Sequence, residues 1–84
     1  MKRLDVLLLE ARGDVASKRR TDVNQESAWR WAALAIAAWE IGKVADAVDY
    51  YHEAVEHAAH CDSSGENLRQ VCAWVRVHVP AGVL

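Results

Sequence analysis

Residues 31–54 read WAALAIAAWEIGKVADAVDYYHEA, and their spacing decides the fold. Trp31, Leu34, Ala35 and Ala38 recur at intervals of three and four. Gly42 interrupts them, and Val44, Ala47, Tyr51 and Ala54 resume the rhythm beyond it. Such intervals place side chains on one face of a helix. A glycine between two such runs can take the left-handed conformation that ends a helix, so the stretch predicts two antiparallel helices. The small side chains of Ala47, Ala54 and Ala58 allow the second helix to approach the first closely.

This arrangement resembles one tetratricopeptide repeat. That family's pattern sets a Trp and a Leu on the first helix, a Gly at the bend, and Ala, an aromatic and Ala on the second. Trp31, Leu34, Ala35, Gly42, Ala47, Tyr51 and Ala54 occupy those positions, while Ala38, Val44 and Ala59 depart from it. One unit is about 34 residues, so residues 30–62 would be a single copy. A second copy placed after Asp62 would put Gly65 where the Trp belongs and Arg69 at a small position. The resemblance implies a hairpin architecture and no reaction. Repeats of this kind stack to bury their apolar faces, which implies here a hairpin closed by unrelated helices or by another chain.

The flanks supply those helices. Leu4, Leu7, Leu8, Ala11 and Val15 form a buried stripe over residues 3–19, with a break or kink expected near Gly13. Thr21 to Asn24 offer capping residues for the second helix. On its wheel Glu26, Arg30, Ala33, Ala37 and Glu40 form one narrow polar sector, and apolar residues fill nearly all the rest. The third helix, over residues 43–60, sets Val44, Ala47, Val48, Tyr51, Ala54, Val55 and Ala58 against a polar face. Ser63-Ser64-Gly65-Glu66 matches a capping box. A fourth helix follows to His78 with Leu68, Val71, Cys72, Val75 and Val79 on one face, and Pro80 ends it. The predicted fold class is all-α, a single-domain bundle of about four helices.

A chain of 84 residues buries only about 60–65% of its unfolded surface. Its core is therefore small, and self-association would help it. A hydrophobic fraction of 52%, four Trp and one Pro argue for a folded domain. The apolar run Val6 to Leu9 is too short for a signal-peptide core, and Arg30 and Glu40 interrupt the segment closest to a membrane span. The expectation is a cytoplasmic protein with free Cys61 and Cys72 and no membrane contact.

Charge is uneven: residues 1–20 hold six Lys/Arg against three Asp/Glu, and residues 40–66 hold one Lys against seven Asp/Glu. Lys18, Arg19 and Arg20 are the alternative nucleic-acid contact, although a basic cluster at a helix end also complements the helix dipole. Glu53, His57 and Cys61, spaced by four, with His60 beside them, are the alternative metal ligands; a solvated polar face is the preferred reading, because structural zinc sites draw four ligands from two elements. No phosphate loop, nucleophile elbow or metalloprotease helix is present in the sequence, so no catalytic residue and no cofactor are assigned. Trp31, at the repeat's packing position, is expected in the core. Trp29, Ile36 and Trp39 either form an apolar patch, with Trp74 off the fourth-helix stripe, or are covered by the first and fourth helices. The expected function is non-enzymatic: an adaptor or an inhibitor that contacts a protein partner or its own copy through that Trp-rich flank.

Overall fold

The computed structural model describes residues 4–17, 27–61 and 64–84. They form four helices: α1 (Leu4–Ala16), α2 (Ser27–Glu40), α3 (Val44–Cys61) and α4 (Glu66–His78). No strand occurs among the described residues, so the molecule is an all-α bundle. α2 is central. It packs on all three other helices, α4 also packs on α3, and among the described helices α1 packs on α2 alone.

α2 is central because it has almost no side to give to water. Ala28, Ala32, Ala33, Leu34, Ala35, Ile36, Ala37 and Ala38 are all buried. Their methyl groups fill little volume, which lets neighbouring helices approach to the near end of the usual ~8–10 Å separation. On α3 the matching surface is Ala47, Tyr51, Ala54 and Ala58, all buried. The Ala33 and Ala37 sector expected to be polar is instead covered. Leu7, Ala11 and Val15 of α1 lie in one cluster with it, and the rim residues Arg30 and Glu40 meet charge, Arg30 beside Glu10 and Asp14 and Glu40 on Arg12. Alanine carries no polar atom, so a methyl strip between two charges is free to be buried once a helix lies across it.

The bend between α2 and α3 is set by Gly42, at φ +84°. Lys43 N–H donates to the Ala38 carbonyl at 2.9 Å, and Gly42 N–H donates to the Trp39 carbonyl at 3.1 Å. This pair of bonds is the Schellman closure, which satisfies carbonyls left open at a helix end and needs a left-handed residue where Gly42 stands. Val44, expected on the buried face, lies just beyond this turn and is exposed.

Other boundaries differ from expectation for local reasons. α1 runs unbroken through Gly13, because its stripe is anchored on α2 on both sides of that residue. Ser63, the first residue of the expected capping box, lies outside the described residues. Gly65 is the residue before α4, at φ +79°, and offers no side chain; Ser64 Oγ accepts the Glu66 N–H at 3.3 Å. The Glu66 carboxylate accepts from Arg69 and from Gln70, further along the helix. The far end keeps its helix: Val79 N–H donates to the Val75 carbonyl at 2.8 Å, and Val79 is buried before Pro80 turns the chain away. The first residues assigned to the second helix by sequence, 21–24, lie outside the described residues.

Candidate interaction surfaces

The Trp residues divide between two seams. Trp29 and Trp74 pack with ring centroids 5.7 Å apart across the α2–α4 seam. The Trp29 indole N–H donates to Asn67 Oδ1 at 2.9 Å. Ile36, between Trp29 and Trp39 on the wheel, has no exposed surface and clusters with Val71, Val75 and Val79. The expected patch is therefore closed at its centre. α4 is long enough to lay its valine stripe over Ile36, and the flanking Trp29, Trp39 and Trp74 remain half-buried at the edges. Ile36 is not available to a partner, and Trp29 and Trp74 spend part of their ring surface on each other.

Trp31 lies on the α2–α3 side. Its ring centroid is 5.6 Å from that of Tyr50 and 6.2 Å from that of His57, with the rings within about a third of a right angle of parallel. Its indole nitrogen is buried and has no acceptor among the described residues. A buried donor without a partner costs roughly 1–3 kcal/mol, which the ring contacts and the buried area must offset. Trp31 is thus half-buried, in the hairpin seam and not at the centre of the core.

The α3 polar face carries the residues weighed as metal ligands, of which the Cys61 side chain lies outside the described residues. His57 Nε2 is 3.6 Å from Glu53 Oε2, and the His57 ring is engaged with Trp31. Among the described residues no group of three or more His, Cys, Asp or Glu side chains is placed to hold a metal ion. His60 is exposed at the end of α3, and nothing is described of the Cys61 side chain. Lys18, Arg19 and Arg20 lie outside the described residues. Cys72 is a free thiol, half-buried, and accepts a hydrogen bond from the Tyr51 hydroxyl at 3.3 Å. Burial, and then that bond, push the Tyr51 pKa up from its ordinary value.

The α1–α2 seam carries a charge clasp that sequence spacing does not reveal. Arg12 donates through Nε and Nη2 to the two carboxylate oxygens of Glu40, each at 2.8 Å. This bidentate bond holds the Glu40 carboxyl below the usual carboxylate range, against a smaller opposing effect of burial. On the other rim Glu10 and Asp14 line a shallow crevice with Arg30. Residues 28 positions apart in the chain give no periodic signal, so only the packing of α1 brings Arg12 to Glu40.

The largest apolar groups left in solvent are not the indoles. Leu9 is 66% exposed and Val6 41% exposed on α1, and Val77 is 78% exposed on α4. Ile41 and Val44 flank the hairpin turn. On α1 the exposed Val6, Leu9, Gly13 and Ala16 run along the side opposite the buried stripe. The wheel contained that signal, since Val6 and Leu9 have no place on the Leu4–Val15 stripe. No helix of the described residues is long and apolar enough to cross a membrane. No protein-family model, curated protein or solved structure matches the chain.

Proposed function

We propose that the chain is a small non-enzymatic interaction module, acting as an adaptor or an inhibitor of another protein. The observation that carries this reading is α1, which is apolar on two opposite sides and buries only one of them. A helix that is apolar all round is normally covered all round. An exposed leucine alone would mean little, but Leu9 continues into a stripe with Val6, Gly13 and Ala16.

The tetratricopeptide-like reading of residues 30–62 is kept within this proposal. Support comes from the Gly42 closure, from the alanine seam of α2 and α3, and from Trp31 lying across that seam. The order of contacts also suits a stack: each helix packs on the next, and α4 lies beside α2. Such a stack presents its end helices to whatever continues it. A cytoplasmic setting is part of the same reading, and the free Cys72 thiol suits a reducing compartment.

The test is partner capture from the native cell type with a photo-crosslinker placed at Ala16, comparing wild type with Leu9→Glu and with Val77→Glu. The expected result is that Leu9→Glu loses the crosslinked proteins while Val77→Glu keeps them. Retention of the same set by Leu9→Glu would remove the α1 face from the function.

A further inference from the structure

We infer that the occupant of the outer face of α1 is α1 of a second copy, laid antiparallel across it about a two-fold axis beside Leu9. This deepens the interaction reading above and rests on it. Three features of the face support a copy of itself over an unrelated helix.

The first is Gly13. A glycine inside a helix is unfavourable relative to alanine, because the unfolded chain is more mobile and no side chain is gained. Within the monomer nothing requires it: a Cβ built there meets no atom within 4 Å, and its backbone is ordinary helix. A gap in an exposed apolar stripe is a seat for a side chain arriving from outside. Gly13 lies four residues after Leu9, and Val6 lies three before it. An antiparallel copy centred on Leu9 therefore lays Val6 over the partner subunit's Gly13, and the reciprocal contact follows by symmetry. Leu9 then meets the partner subunit's Leu9.

The second feature is charge. Asp5 lies four residues before Leu9 and Arg12 three after it, on the same flank of the stripe. Equal flanks face each other in an antiparallel pair, so Asp5 faces the partner's Arg12 on each side of the axis. Arg12 gives only Nε and Nη2 to Glu40, which leaves Nη1 for this contact. The opposite flank carries Glu10 and Asp14, and these are half-buried beside Arg30, whose charge opposes theirs.

The third is the contrast with α4, the other end of the bundle. On its outer side the Glu66 carboxylate accepts from Arg69 and from Gln70, so the first turns of α4 are polar, and within the helix the exposed Val77 has only Ala73 beside it. Among the described helices α1 carries the longer exposed apolar run. One helix face is small against the ~1,200–2,000 Å² of stable interfaces, so the dimer is a weak one that forms with concentration.

Sedimentation equilibrium over a wide concentration range tests this, with circular dichroism to verify each variant's fold. Wild type should show a reversible monomer–dimer equilibrium. Leu9→Glu should weaken it at least tenfold, and Val77→Glu should leave it unchanged. Gly13→Leu is the sharper variant, because it adds apolar surface and helix propensity while filling the seat. A weaker dimer is expected, and an equal or tighter one would overturn the pairing. A wild type that stays monomeric at every concentration would also overturn it. If that monomeric wild type still loses crosslinked partners on Leu9→Glu, the interaction reading stands without the copy-to-copy pairing. If neither arm responds, both fall.

Discussion

Replacing Ile36 with alanine separates a covered α2 from one with an open flank. Ile36 has no exposed surface and contacts a cluster that includes Tyr51 of α3 and Val71 and Val75 of α4. The change removes three carbon groups, and at ~0.8 kcal/mol for each the lost transfer energy is about 2.4 kcal/mol. Incomplete collapse of the space adds about 1 kcal/mol more, which gives about 3–4 kcal/mol in all. Against a total of roughly 4–13 kcal/mol for a chain of this length, that is a large share. The matched control is Ile41→Ala, where the same atoms are removed from a residue 49% exposed and the cost should stay within about 0.5 kcal/mol.

Urea unfolding followed by circular dichroism measures both. With a slope near 1 kcal/mol/M for a small domain, the Ile36→Ala midpoint should fall by about 3 M, and the thermal midpoint by roughly 12–30 °C. The slope should be unchanged if the native and unfolded states keep their exposed areas. The reasoning is refuted if Ile36→Ala costs no more than Ile41→Ala. In that case the α4 valine stripe does not sit on Ile36, and the Trp29–Trp39 flank returns as an open surface.

Four further outcomes follow from the same packing. Gly42→Ala forces a side chain into φ +84° and should cost about 1–2 kcal/mol by urea unfolding. Trp31→Phe deletes an unpartnered buried N–H, whereas Trp29→Phe deletes a bond to Asn67; calorimetric melting should therefore find Trp31→Phe the milder by about 1 kcal/mol. The lowered Glu40 pKa means that its contribution is complete above the ordinary value of 4.5 and is lost as pH falls through the lower folded value. Melting curves from neutral to acid pH should show that loss in wild type and a flatter profile in Arg12→Gln, with a small amplitude because the pair faces solvent. Tyr51 behaves in the opposite sense. Its raised pKa gives stability that is complete below 10.0 and is lost as pH rises through the folded value, so Tyr51→Phe should soften the alkaline limb of the same curves.

Periodicity made α3 and α4 legible, because each has one polar and one apolar side. Ala47, Tyr51, Ala54 and Ala58, and then Val71, Val75 and Val79, are buried as their spacing predicts. Gly42 was legible for a different reason, since few residues tolerate the left-handed turn it occupies. α2 was not, because spacing separates polar from apolar and α2 is apolar almost throughout. Nothing in its wheel says which neighbour covers Ile36 and which covers Ala33. Non-local geometry settled that, through the α4 valines on one side and the Arg12–Glu40 clasp on the other. The candidate site was missed for a related reason. Once Leu7, Leu8, Ala11 and Val15 account for one side of α1, Val6 and Leu9 look like ordinary scattered surface residues. They become a stripe only when α1 is seen to touch a single neighbour.

The four helices also differ in how much their surroundings must supply. α2 needs cover on nearly every side and receives it from three neighbours, while α3 and α4 each need one covered face and present polar residues outward. Their buried faces close on described neighbours, and the exposed Val77 of α4 stands outside that closure. α1 leaves the longer remainder, since its inner stripe is satisfied by Ala33, Leu34 and Ala37 and its outer stripe by no other described helix. A core this small cannot recruit Leu9 without a further helix, and no other described helix lies against the exposed side of α1. The same apolar density that lets a short chain fold around α2 therefore leaves α1 with surface to share, and its length, its glycine gap and its Asp5–Arg12 spacing restrict what can share it to another helix of similar size.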